Sequence, residues 1–224
     1  KGSSIPVDSI GKFDLIVHPG DAVPHASSEV EHNAQVELVE AITVLDSDEM
    51  WSRVDARHRI GVPEDAKVVY VQLGAGRINE IDSEIRMVVD ALLESEDVHV
   101  VLGESMLGDR LRIGLDRVHL VRDYPNALFL RAFDCSVQAG GYNSFHEMRT
   151  LRIPTLFLPN MNTGMDDQLA RCRVAEDEGW GIVATEDRKS IRVDIQRLLD
   201  MNYPGNGGNS TVNGANRIAD IILE

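Results

Sequence analysis

The chain has 224 residues, 43% of them hydrophobic and 26% charged, which is enough for one large domain or one and a half small ones with a sizeable core. Its 22 basic against 37 acidic side chains leave a formal net charge of −15, which argues against a nucleic-acid partner and against broad adsorption to anionic lipid. No apolar run approaches the roughly 20 residues of a membrane span, no signal peptide opens the chain, and Cys135 and Cys172 lack metal or disulfide spacing, so a reducing cytoplasm fits.

The chain opens on Lys1-Gly2-Ser3-Ser4 without an initiator Met, which reads as a fragment or a processed chain. Phe13–His18 reads as a buried strand ending at Pro19-Gly20, and Ala22–Val36 as a polar, aperiodic stretch. Asp46–Ile60 reads as a helix with an acidic start and a basic end, the polarity that its macrodipole prefers. Residues 1–62 are therefore expected to be the remnant of an N-terminal domain plus a connector.

From Lys67 onward, short apolar runs alternate with amphipathic segments. The expected strands are Val68–Leu73, Val98–Leu102, Val118–Val121, Cys135–Val137, Ile153–Leu158 and Gly181–Ala184. The expected helices are Ile81–Ser95, Ser105–Ile113, Asn126–Phe133, Ser144–Leu151, Asp167–Glu178, Ser190–Met201 and Thr211–Leu223, with a Gly/Asn-rich loop over Tyr203–Ser210 before the last. This alternation predicts an α/β domain over residues 63–224, a Rossmann-like parallel sheet with helices on both faces.

Ligands of such sheets bind at the carboxyl ends of the strands, and three motifs fall there. Gly74 and Gly76, followed by Arg77, let the backbone turn tightly after the first strand, but Asn79 replaces the last Gly of a dinucleotide fingerprint. The alternative is an ordinary strand-end turn. Gly140-Gly141-Tyr142-Asn143-Ser144-Phe145-His146-Glu147 stands at a strand-to-helix junction, where bare N–H groups and a positive helix end hold phosphates. Glu147, one turn in, can accept ribose hydroxyls. The competing reading of Ser144-x-x-Glu147 is a capping box, although a cap does not require two glycines. Asp167 and Gln168 open another helix and read either as a helix start or as a sugar-binding pair. His146 reads as a structural or surface histidine, His18 as a general base only in principle, and no histidine pair has metal-binding spacing.

Gly140-Gly141-Tyr142-Asn143-Ser144-x-x-Glu147, then Ile153-Pro154 and Asp167-Gln168, resembles the donor-binding motif of GT-B fold glycosyltransferases. The nearest groups are family 28, with the N-acetylglucosaminyltransferase of peptidoglycan synthesis, and the UDP-glucosyl/glucuronosyltransferases. The resemblance runs from Lys67 to the C-terminus. It implies a nucleotide-sugar donor, with UDP the expected nucleotide, and no tightly bound cofactor or metal. Phosphates would meet Gly140, Gly141, Asn143 and Ser144, with Gly74, Gly76 and Arg77 closing from the other side. Glu147 would take the ribose, Asp167 and Gln168 the donor sugar, and the backbone of Val121 and Arg122 the base. Ala139 departs from the pattern, since many relatives place a His or Arg there, and the connection from Glu147 to Asp167, which contains Asn160–Gly164, is longer than usual.

The implied activity is inverting glycosyl transfer by the full-length protein, in the cytoplasm or at the cytoplasmic face of a membrane. An N-terminal acceptor-binding domain, in cis or as a separate chain, would supply the general base, so these residues alone are expected to bind donor without turning it over. The alternatives are a UDP-sugar hydrolase or epimerase of the same fold, a separate donor-binding subunit, and a non-enzymatic nucleotide-binding domain.

Overall fold

The computed structural model describes residues 12–23, 34–73, 78–103, 114–161, 166–185, 189–201 and 212–223, with the backbone alone for residues 78–82. Two sheets form. Strands β1 (Leu15–Pro19) and β2 (Gln35–Val39) pair in parallel, Ile16 opposite Val36. The second sheet holds β3 (Lys67–Gln72), β4 (Val98–Gly103), β5 (Val118–Val121), β6 (Cys135–Gln138), β7 (Thr155–Phe157) and β8 (Gly181–Val183). Its order is β5-β4-β3-β6-β7-β8 and every pairing in it is parallel.

Both faces of the six-stranded sheet are buried, as a parallel sheet requires. Val69, Val71, Val100, Leu102 and Val137 point to one side, against α2 (Ile78–Leu92) and α5 (Ile191–Asp200) through Val88, Leu92, Ile195 and Leu198. The alternate residues Val68, Tyr70 and Val101 point to the other side. There they meet α1 (Arg53–Ile60), a 3-10 helix over Asn126–Ala132, α3 (Tyr142–Leu151) and α4 (Gln168–Asp177). α6 (Gly214–Leu223) runs back to β2, where a Cβ on Gly214 would lie 2.0 Å from the Glu40 carbonyl oxygen.

All six expected strands of this sheet are present, and the described helices fall within a few residues of expectation. The helix expected over Ser105–Ile113 and the loop over Tyr203–Ser210 lie outside the described residues. The helix expected over Asn126–Phe133 is the 3-10 helix Asn126–Ala132, whose Ala127, Phe129, Leu130 and Ala132 are buried.

Apart from β1, read as a buried strand although only its Ile16 is buried, the first sixty residues correct the sequence reading twice. Asp46–Ile60 is not one helix. A 3-10 turn at Ser47–Glu49 gives way to an extended Met50, and Ser52 caps a new helix, its hydroxyl accepting from the Asp55 N–H. Met50 is buried and the Trp51 N–H bonds the Leu128 carbonyl at 3.2 Å, which turns the chain into the core between the two segments. The second correction is β2, which begins inside the stretch read as aperiodic.

Candidate functional site

The glycine pair sits between β6 and α3, at the carboxyl edge of the sheet, and its two members have different jobs. Gly140 has φ +81°, and a Cβ there would lie 2.3 Å from Cys172 Sγ, so conformation and packing both demand glycine. Gly141 has an ordinary extended backbone (φ −61°) and is the N-cap of α3. A Cβ on it would meet nothing nearer than Ser144 Oγ at 3.8 Å, so no neighbour within the described chain accounts for glycine at 141.

With Gly141 as cap, Ser144 falls at the third helical position and cannot be the cap of a capping box. Its hydroxyl donates back to the Gly141 carbonyl at 3.1 Å, and no side chain among the described residues caps the helix. No acidic residue stands in the first turn. The free N–H groups and positive end of α3 are therefore available to an anion. Asn143, beside them, is exposed.

Glu147 lies one turn further in and is mostly buried. Burial pushes its carboxyl up to about 7, against an opposing hydrogen bond from the Val44 N–H. It belongs to a polar cluster under the sheet edge. The Tyr70 hydroxyl feels the Glu147 charge and donates to Gln72 Oε1 at 3.0 Å, while Asn126 Nδ2 reaches Tyr70 at 3.5 Å. Gln138, paired in register with Gln72, is fully buried, and neither of its amide atoms has a partner among the described residues.

Asp167 is the N-cap of α4, its carboxylate accepting from the Ala170 N–H at 3.2 Å, so the helix-start reading of this residue describes its local role. Gln168 is held at both ends: Oε1 accepts from the Asn160 N–H at 3.0 Å and Nε2 donates to Asp166 Oδ2 at 3.2 Å. Val121 closes β5 in register with Gly103, and Arg122 follows it. Three strand spacings separate β5 from β6, about 14 Å, a span an extended nucleotide can bridge. Gly140, Gly141, Asn143, Ser144, Glu147, Asp167 and Gln168 thus gather around β6, β7 and their helices, with Val121 and Arg122 at the far end of the same edge. Gly74, Gly76 and Arg77 lie outside the described residues.

Sequence reasoning missed the group that braces this edge. Arg171, 4% exposed, bonds Asp21 through Nε (2.9 Å to Oδ1) and Nη2 (2.7 Å to Oδ2). Its Nη1 donates to the Gly140 carbonyl at 3.0 Å and its Nη2 lies 2.8 Å from Asp166 Oδ1. Burial alone would raise the Asp21 carboxyl, but Arg171, His146 and the Ala22 N–H hold it well below the usual range. Such a carboxylate can only accept, so His146 Nε2, 3.1 Å away, carries the hydrogen. His146 is buried and packed on Tyr142 and Phe145, so of its two readings the structural one describes it and the surface one does not. Tyr142 bridges the same segment, its hydroxyl donating to the Gly20 carbonyl at 2.8 Å and accepting from the Ile42 N–H at 3.1 Å. The one sequence signal was the charge of Arg171 on an inward helical position; nothing marked Asp21 as its partner. Among the described residues, no group of three His, Cys, Asp or Glu could hold a metal ion.

No family model matches the chain. It is similar to the UDP-N-acetylglucosamine–N-acetylmuramyl-(pentapeptide) pyrophosphoryl-undecaprenol N-acetylglucosamine transferase of Staphylococcus aureus, 27% identical over 143 residues, which make up 63% of this chain and 40% of that protein. The chain thus spans less than half the length of the curated relatives it matches. Among solved structures it is similar to CalG4, the calicheamicin glycosyltransferase, with a TM-score of 0.55 at 19% identity, covering 75% of this chain and 39% of that one. It is also similar to the glycotransferase of kitacinnamycin, with a TM-score of 0.54 at 20% identity, covering 75% and 41%. These two are likenesses of fold.

Proposed function

We propose that this chain, whose six-stranded domain is the Rossmann-like C-terminal half of a GT-B glycosyltransferase fold, binds a nucleotide-sugar donor, with UDP as the nucleotide, for a glycosyltransferase that is complete only with an acceptor-binding domain. The observation that carries this reading is the uncapped N-terminus of α3, opened by a glycine that the surrounding chain does not require, with Glu147 one turn away.

The chemistry follows from those groups. Backbone N–H groups at Gly141, Asn143 and Ser144, with the positive end of α3, take the diphosphate and stabilise the negative charge that develops on it as the leaving group. An ionised Glu147 accepts both ribose hydroxyls. The free carboxylate oxygen of Asp167 and the remaining amide valences of Gln168 take hydroxyls of the donor sugar. The backbone at Val121 and Arg122 reads the base, and Gly74, Gly76 and Arg77 close over the phosphates. Glycosyl transfer with inversion also needs a base that deprotonates the acceptor hydroxyl, and that base belongs to the acceptor domain. Residues 1–62 are the end of that domain and its connector. No helix among the described residues is long and apolar enough to cross a membrane; we place the full protein in the cytoplasm or at the cytoplasmic face of a membrane.

Thermal shifts with UDP, GDP, dTDP and NAD test the reading, because a ligand of the native state raises its apparent stability. UDP is expected to give the largest shift, and Glu147→Ala to abolish most of it while the variant stays folded. No shift with any of the four would overturn the proposal.

A further inference from the structure

We infer that Arg171, locked by Asp21, is a positioning residue for the diphosphate: it aims the Gly141 N–H at the ligand by holding the carbonyl on the other side of the same peptide. This rests on the donor-site reading and names residues that reading does not use.

The argument is one of peptide geometry. The Gly140–Gly141 bond is trans, since the cis bond among the described residues is Tyr124–Pro125. In a trans peptide, C=O and N–H point in opposite directions. Arg171 Nη1 draws the Gly140 carbonyl inward, 3.0 Å away, so the Gly141 N–H points outward, toward the side where a Cβ at 141 would find open space. That N–H donates to no group among the described residues. Glycine at 140, with its positive φ, leaves this peptide intrinsically free to rotate. The buried guanidinium removes that freedom.

Arg171 is itself fixed. Its fork meets Asp21 with two hydrogen bonds, and Asp166 and the Gly140 carbonyl take other N–H groups. Burial would lower its affinity for a proton, but Asp21 and Asp166 raise it, so the charge is permanent. Asp166 in turn accepts from Gln168 Nε2. One side chain thus ties the phosphate turn to the residue proposed to meet the sugar. A lysine keeps the charge but has no planar fork, and cannot hold Asp21 and the Gly140 carbonyl in this arrangement.

The test titrates UDP and uridine separately into the full chain and into Arg171→Lys and Asp21→Asn. Uridine has the base and ribose of UDP without its phosphates. For Arg171→Lys, UDP affinity is expected to fall about ten-fold or more, with uridine affinity unchanged within about two-fold; Asp21→Asn, which loosens the fork but keeps its shape, should give a smaller loss of the same kind. If Arg171→Lys does not fold, Asp21→Asn alone decides. A folded variant that binds UDP as the parent does, or that loses UDP and uridine equally, overturns the inference, because a merely structural role moves both ligands together. A parent chain that binds neither ligand overturns the donor-site reading and this inference with it.

Discussion

The sulfur of Cys172 occupies the place where residue 140 would carry a Cβ, with 2.3 Å between them. Helix α4 therefore packs directly on the turn that precedes α3, and Gly140 is a structural glycine. Gly140→Ala meets two costs, about 1–2 kcal/mol for a positive φ and about 1–3 kcal/mol for overpacking. A loss of roughly 2–5 kcal/mol is expected in chemical denaturation. Cys172→Ala in the same chain should recover the packing part and leave the conformational part, which a double-mutant cycle separates.

Gly141→Ala should behave in the opposite way. Its backbone suits any residue and its surroundings are open. Alanine is a poorer N-cap than glycine, and the cost to stability should stay within about 1 kcal/mol. The new methyl group would stand among the N–H groups proposed to meet the diphosphate, so UDP affinity should drop at least about ten-fold, the loss of one or two charge-assisted hydrogen bonds. Calorimetric titration beside a denaturation curve checks both halves. A stable variant that binds UDP normally would move the phosphate elsewhere.

Glu147 makes the site dependent on pH. Its carboxyl is raised by burial from 4.5 to about 7, so the fold disfavours its charged form. Between these values the unfolded chain ionises while the folded one keeps its proton, and the stability from this group falls as pH rises. Above about 7 the penalty is constant, at most about 3 kcal/mol. Glu147→Gln should therefore be more stable than the parent chain at pH 8, and the difference should vanish below about pH 4. UDP-sugar affinity should run the other way, rising from pH 6 to pH 8 as Glu147 becomes a pure acceptor, and Glu147→Gln should flatten that profile. Tyr70, the titratable neighbour, stays protonated throughout because burial raises its hydroxyl far above this range.

The parts of the fold that sequence makes legible are those where burial is two-sided. β3, β4 and β6 read as apolar runs because alternate residues enter opposite cores, Val69 and Val71 one, Val68 and Tyr70 the other. β2 escapes such a reading because only Val39 is buried and Leu38 is 78% exposed; pairing with β1, not a core, makes it a strand. The break in Asp46–Ile60 escapes because helical spacing runs on through Met50 and Trp51, which face the core for a different reason. In the site, the glycine pair, Glu147 and the helix start at Asp167 are visible as a local motif. The choice between a capping box and an open helix end turns on one position of register, Gly141 as cap and not Ser144. The Asp21–Arg171 pair spans 150 positions, and no local pattern can announce a contact of that range.

Tyr142 is the last residue of the motif whose role is not what the motif suggests. Its hydroxyl leaves the ligand side and joins two backbone groups of the N-terminal segment, the Gly20 carbonyl and the Ile42 N–H. Its ring packs on His146, 4.6 Å between centroids, and lies under Arg171 at 5.8 Å. Tyr142→Phe keeps both ring contacts and removes only the hydroxyl, leaving two half-buried backbone groups short of a partner. A loss on the order of 1–2 kcal/mol follows. The change should be local: hydrogen exchange at Ile42 should quicken, and proteases should reach residues 12–23 sooner, while the β3–β6 amides keep their protection. UDP affinity should stay within about two-fold, because Arg171 still holds Asp21 and the Gly140 carbonyl. If UDP binding falls as steeply in Tyr142→Phe as in Arg171→Lys, the N-terminal segment as a whole, and not the guanidinium fork, sets the phosphate turn.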